Sequence, residues 1–173
     1  MALLEQFHVV ADHFPVDSSV TNLIEGMFVK LNSSGNAVKA TGASAERAIG
    51  VSGDTKSTSL SGLPSTNDSS QGAFVNRVSD SFDETKASGR LTVYHSGGKF
   101  ASNQYETAPV LAWAVGLPLY ISANSKLTTD VSTSAQIVAT VTAVPAAYAS
   151  GVPGIDINGS LTLGNYVEFK LEI

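Results

Sequence analysis

Two stretches of the chain share one pattern of apolar and turn residues at a fixed spacing, and few folds accommodate it. The first, Glu25–Val51, reads EGMFVKLNSSGNAVKATGASAERAIGV; the second, starting at Gly116, reads GLPLYISANSKLTTDVSTSAQIVATV. Gly26/Gly116, Ser44/Ser134, Ala45/Ala135 and Val51/Val141 are identical at an offset of 90, and the likeness otherwise lies in pattern more than in letters. Met27, Val29 and Leu31 alternate onto one face, as do Leu117, Leu119 and Ile121, and a period of two marks a half-buried strand. Each strand runs into residues that tolerate turn backbone, Asn32-Ser33-Ser34-Gly35-Asn36 and Ser122-Ala123-Asn124-Ser125-Lys126. Short return strands follow at Ala37–Ala40 and Leu127–Thr129, then a polar link, then third strands at Ala48–Val51 and Ile137–Thr142. Two copies are too few for a solenoid, but they can form two halves of a barrel or sandwich.

Further strands are expected at Ala73–Val78, Arg90–His95, Val110–Val115 and Tyr166–Ile173. The predicted fold is therefore all-β: a small β-barrel or sandwich built from two similar strand-hairpin-strand units. Residues 17–173 are expected to form one β domain, with long polar loops over 52–72 and 143–159, where Ser, Thr, Gly and Pro prevail. Residues 1–16 read as an extended N-terminal arm, because Pro15 ends any helix and Val9-Val10 favours extended chain.

Composition narrows the function. A chain of 173 residues with 43% hydrophobic content can bury a core, but only 14% of it is charged, against about 25% in ordinary soluble domains. The net charge of −5, with no Lys/Arg cluster, argues against nucleic acid. No run approaches the ~20 apolar residues that span a bilayer, and MALLEQFHVV lacks the basic start of a secretory signal. Without cysteine, thiol chemistry and disulfides are excluded. No nucleotide loop, nucleophile elbow or zinc-protease motif occurs. His8, His13 and His95 are scattered; Asp12-His13 reads as a solvated or partner-facing pair, and Asp80, Asp83 and Glu84 as a solvated turn without calcium-loop spacing. Trp113, within an apolar run, reads as core. No catalytic residue, metal ligand or cofactor is expected.

The run Glu-Gly-Met-Phe-Val-Lys-Leu, a Gly/Asn turn, a valine return strand and then Ala-Ile-Gly-Val resembles the capsid decoration (cement) proteins of tailed bacteriophages. Gly-Leu-Pro-Leu-Tyr-Ile-Ser followed by Lys126-Leu127-Thr128 is similar to their second half. The resemblance implies a structural virion protein on the outer capsid surface, bridging and stabilising major capsid protein subunits as a homo-oligomer, a trimer in preference to a dimer. It implies no enzyme activity, no cofactor, no membrane and no direct nucleic-acid contact. The arm, with Leu3, Leu4, Phe7, Val9, Val10 and Phe14, is where capsid or subunit contact is expected. Burying each is worth ~1.5–3 kcal/mol, whereas ordering the chain costs ~1–2 kcal/mol per residue, so such an arm needs backbone hydrogen bonds too, as when a strand is added to a sheet edge. Two other readings fit the residues: another phage structural part (a tail-tube subunit or head-fibre base), or a carbohydrate-binding, adhesin-like β-domain stacking sugars on Trp113, Tyr94, Tyr105 or Tyr120.

Overall fold

The computed structural model describes residues 10–56, 88–134, 136–147 and 165–173. These contain ten strands and no helix: β1 (Val10–Pro15), β2 (Phe28–Leu31), β3 (Ala37–Lys39), β4 (Gly50–Ser52), β5 (Arg90–Ser96), β6 (Lys99–Ser102), β7 (Pro118–Ile121), β8 (Leu127–Thr128), β9 (Ala139–Ala147) and β10 (Asn165–Leu171). They form two antiparallel five-stranded sheets, ordered β1-β5-β4-β2-β3 and β6-β10-β9-β7-β8. Renumbered within each half, the two orders are the same. Just beyond β1, Val16 bridges Ala37 on β3 at the opposite edge, and Tyr105 beyond β6 bridges Leu127 on β8. Each sheet therefore curls until its two edges meet.

The repeat is carried by individual hydrogen bonds. In the hairpin turns Asn32 N donates to Asn36 O (2.9 Å) and Gly35 N to Asn32 O (3.0 Å); ninety residues on, Ser122 N donates to Lys126 O (2.8 Å) and Ser125 N to Ser122 O (3.0 Å). Gly26 and Gly116 both hold left-handed backbone, φ +88° and +87°, at the third position of the turn that launches β2 and β7, a conformation glycine adopts at no steric cost. The third strands keep the pattern with one residue lost from the preceding link. Ile49 N to Val29 O and Ser52 N to Met27 O recur as Val138 N to Leu119 O and Val141 N to Leu117 O. Structurally, then, Val141 matches Ser52, and the Val51/Val141 identity seen in the sequence pairs residues that are not equivalent.

The repeat also extends further upstream than the sequence pattern showed. Asp17 N to Ala37 O has its counterpart in Glu106 N to Leu127 O, so β1 is to the first unit what β6 is to the second. Over Val10–Pro15 the expected arm is a strand paired along its length with β5, held there because its backbone groups complete a sheet edge. Phe14 packs against the core of its own unit. Leu3, Leu4, Phe7 and Val9 lie outside the described residues. So do the strand expected at Ala73–Val78 and most of both expected loops, though 143–147 belong to β9. Pro145 is tolerated there because β7 pairs β9 only as far as Thr140, leaving that side without a ladder to interrupt. Residues 110–115, expected to be a strand, are an irregular connection: Pro109 and Gly116 bracket a run with no strand partner among the described residues.

The first unit fills its interior with Leu23, Met27, Val29, Leu91 and Val93. The larger core joins the two units, because Phe28, Ala40, Ala48 and Val51 of the first pack with Leu119, Ile121, Leu127, Val138 and Phe169 of the second. A row of rings runs through it: Phe28 to Phe169 at 6.4 Å, Phe169 to Phe100 at 5.9 Å, Phe100 to Tyr94 at 5.6 Å. Polar bonds fix the register of this joint. Ser125 O accepts from Phe28 N (2.9 Å), and Ser125 Oγ donates to Ala40 O (2.6 Å). These two bonds explain why a serine holds left-handed backbone (φ +64°) where the first unit uses Gly35. The amide of Gln136 accepts from Ala48 N (2.8 Å) and donates to Ala48 O (3.2 Å). Gln136→Ala is expected to cost about 1–3 kcal/mol, since it strands a donor and an acceptor at the joint; chemical denaturation measures it, and Gln136→Glu, which keeps only the acceptor, should retain part of the loss.

Candidate interaction surface

Asp17, Glu46, Glu106 and Asp130 each hold a turn or connection. Asp17 accepts from the Ser19 hydroxyl (2.6 Å) and N–H (2.8 Å) and from the Asn32 amide (2.7 Å); at the matching place Glu106 accepts from the Ser122 hydroxyl (2.5 Å) and the Asn124 amide (3.1 Å). Each carboxylate thus ties the connection after the first strand of its unit to the hairpin turn. Hydrogen bonds from Ser19 hold Asp17 below the usual carboxylate range, and those from Ser122 do the same for Glu106 against a modest opposing effect of burial. For Glu46, burial pushes upward but is outweighed by the Lys30 ammonium and by Thr41, so its pKa is also lowered; Asp130 is lowered by Ser132. Carboxylates lowered in the folded state stabilise it fully above their unfolded pKa values and lose that contribution as pH falls through the folded ones. Denaturation profiles are therefore expected to be flat from neutrality to about pH 5 and to decline below about pH 4; Glu106→Gln should make the decline shallower.

His95 Nε2 lies 3.0 Å from Asp12 Oδ2 across β1 and β5, and His13 Nδ1 lies 3.2 Å from Thr92 Oγ1. These are strand-to-strand contacts. Among the described residues no group of three or more His, Asp or Glu side chains converges as a metal site.

The sugar-stacking candidates are engaged in packing. Tyr105 and Tyr120 are buried, Tyr94 packs on Phe100, and Trp113 meets Tyr105 edge-on at 5.4 Å, partly buried at the core margin.

What remains open is apolar, and the sequence reading did not single it out. From Thr107 to Ser125 there is no charged residue, and within that stretch Val110, Leu111 and Val115 are 70, 53 and 67% exposed; Val131, two residues beyond Thr129, is 63% exposed. The corresponding connection of the first unit behaves differently. Val20, ninety residues before Val110, and Leu23, ninety before Trp113, are both buried, and Leu23 exchanges both backbone bonds with Lys56. In the second unit the place of Lys56 falls to Pro145, which has no N–H to give. The connection is instead pinned by Thr129 Oγ1, which accepts from Leu111 N (3.2 Å) and donates to Leu111 O (2.8 Å), leaving its apolar side chains outward. The signal available in sequence was the uncharged run itself, read there as a strand. Comparison with protein-family models, curated proteins and solved structures returned no match to this chain.

Proposed function

We propose that this chain is a structural virion protein: a decoration protein that binds the outer surface of a tailed-phage capsid and bridges neighbouring major capsid protein subunits. The observation that carries the reading is the exposed apolar side chains of Val110, Leu111 and Val115 on one uncharged connection, with exposed Val131 two residues beyond Thr129, which pins that connection. Several large apolar side chains left exposed on one connection point to a protein contact. The resemblance of Glu25–Val51 and Gly116–Thr128 to capsid decoration proteins supports the choice of partner. Burying what these four side chains expose is worth about 1–2 kcal/mol each, while association costs about 4–15 kcal/mol. A single chain would therefore hold weakly, and several linked chains would hold tightly through effective concentration.

The test mixes purified chain with capsids lacking it and images the shells. The wild type is expected to decorate them, and the double variant Val110→Asp/Leu111→Asp, altered only at exposed positions, to lose decoration more than tenfold. No decoration by the wild type would overturn the function; undiminished decoration by the variant would overturn the surface. A truncation testing the N-terminal contact must end at Val9, because removing Val10–Phe14 strips β1 from its sheet.

A further inference from the structure

The joint between the two units is head-to-tail. One face of the first unit (Phe28, Ala40, Gly42, Ala48) receives the hairpin end of the second (Ile121, Ser125). In a two-fold arrangement the first unit's hairpin end would meet the second unit's matching face in return, and it does not. Leu31, which corresponds to Ile121, is 37% exposed against 2%, and a side chain added at Gly35, which corresponds to Ser125, would have nothing within 4 Å. On the second unit, Ile137 occupies the place of Ala48 and is 47% exposed against 4%. The chain thus carries one satisfied joint and one complementary pair of unsatisfied ends.

We propose that these ends meet between molecules: the hairpin end of one chain, around Leu31, docks on the Ile137 face of a second copy, continuing the head-to-tail order of the units. A heterologous contact of this kind closes into a ring or propagates as a filament. Three features fit an intermolecular contact. The polar fasteners of the internal joint have no counterparts here, since Pro118 has no N–H where Phe28 donates and Gly35 has no hydroxyl where Ser125 does. In their stead, a larger apolar side chain stands on the open face, Ile137 where the internal joint has Ala48. Opposite charges stand at equivalent places of the two ends: exposed Arg47 in the place of Gln136, and Asp130, which also accepts from Ser132, in the place of Ala40. This inference does not depend on what surface the chain decorates, and its test needs no capsid.

The experiment is sedimentation velocity on the full chain and two variants at exposed positions, Leu31→Asp and Ile137→Asp, with circular dichroism to verify the fold. The wild type is expected to sediment as an oligomer whose mass rises with concentration to a plateau or without limit, and each variant as a monomer. An equimolar mixture of the two variants should restore a species of twice the monomer mass and nothing larger, because one intact head then faces one intact tail. A wild type that stays monomeric at millimolar concentration, a variant that keeps the wild-type mass, or a mixture that stays monomeric would each overturn the proposal.

Discussion

Phe28→Ala is expected to lower the unfolding free energy by about 3–5 kcal/mol, the range for deleting a buried aromatic side chain from a close-packed core. Phe28 has no exposed surface, and it reaches out of its own sheet to Phe169 of the other. Its loss opens a cavity that neither unit can close alone, because the backbone on both sides is fixed, by Ser125 O on Phe28 N and by Gln136 on Ala48. The position also makes the measurement diagnostic. Trp113 and its neighbour Tyr105 lie in the second unit, whereas Phe28 lies in the first. If the shared core couples the units, tryptophan fluorescence and far-ultraviolet circular dichroism should report one coincident urea transition in the wild type, displaced equally by both probes in the variant. Two transitions in the wild type would mean that each unit stands by itself. Phe14→Ala, half-buried on β1, should cost distinctly less.

The hairpins were legible in the sequence because their determinants are local: alternation sets the faces, and the turn residues set the register, so the offset of 90 survives bond by bond. The third strands were misaligned by one residue because a single deletion in the link leaves no trace when few letters are shared, and the chance identity of Val51 and Val141 favoured the wrong pairing. β6, Lys99–Ser102, has almost no apolar signature, since its pairing with β10 is made by backbone and by Phe100 alone. It went unread, and with it the equivalence that makes β1 a sheet strand. Residues 110–115 show the converse. An apolar run reads as a strand only on the premise that it is buried, yet what decides burial is a distant partner, Lys56 in one unit and Pro145 in the other. The exposure of Val110, Leu111 and Val115 is not written in their own letters for that reason: it goes with the absence, at Pro145, of a backbone donor far along the chain.

The approach of the two units can be tested at a single pair of glycines. Gly42 and Gly35 both hold left-handed backbone, φ +73° and +78°, so alanine at either pays a conformational penalty of about 1 kcal/mol or somewhat more. Their surroundings differ. A Cβ at Gly35 would point into open space, whereas one at Gly42 would run into the backbone oxygen of Ile121 and stand 3.1 Å from that of Thr133, both in the other unit. Backbone atoms, Ile121 O at the end of β7 above all, cannot swing aside as a side-chain tip can, so the units must separate locally. Gly42→Ala is thus expected to cost about 1–3 kcal/mol more than Gly35→Ala, the usual range for overpacking, with the excess read from paired denaturation curves. Equal costs would mean that the two units do not meet at Gly42, and the head-to-tail joint would lose its closest contact. A larger cost at Gly42, together with a near-neutral substitution of the exposed Leu31, would place the rigid joint inside the chain and leave the free hairpin end available for another molecule.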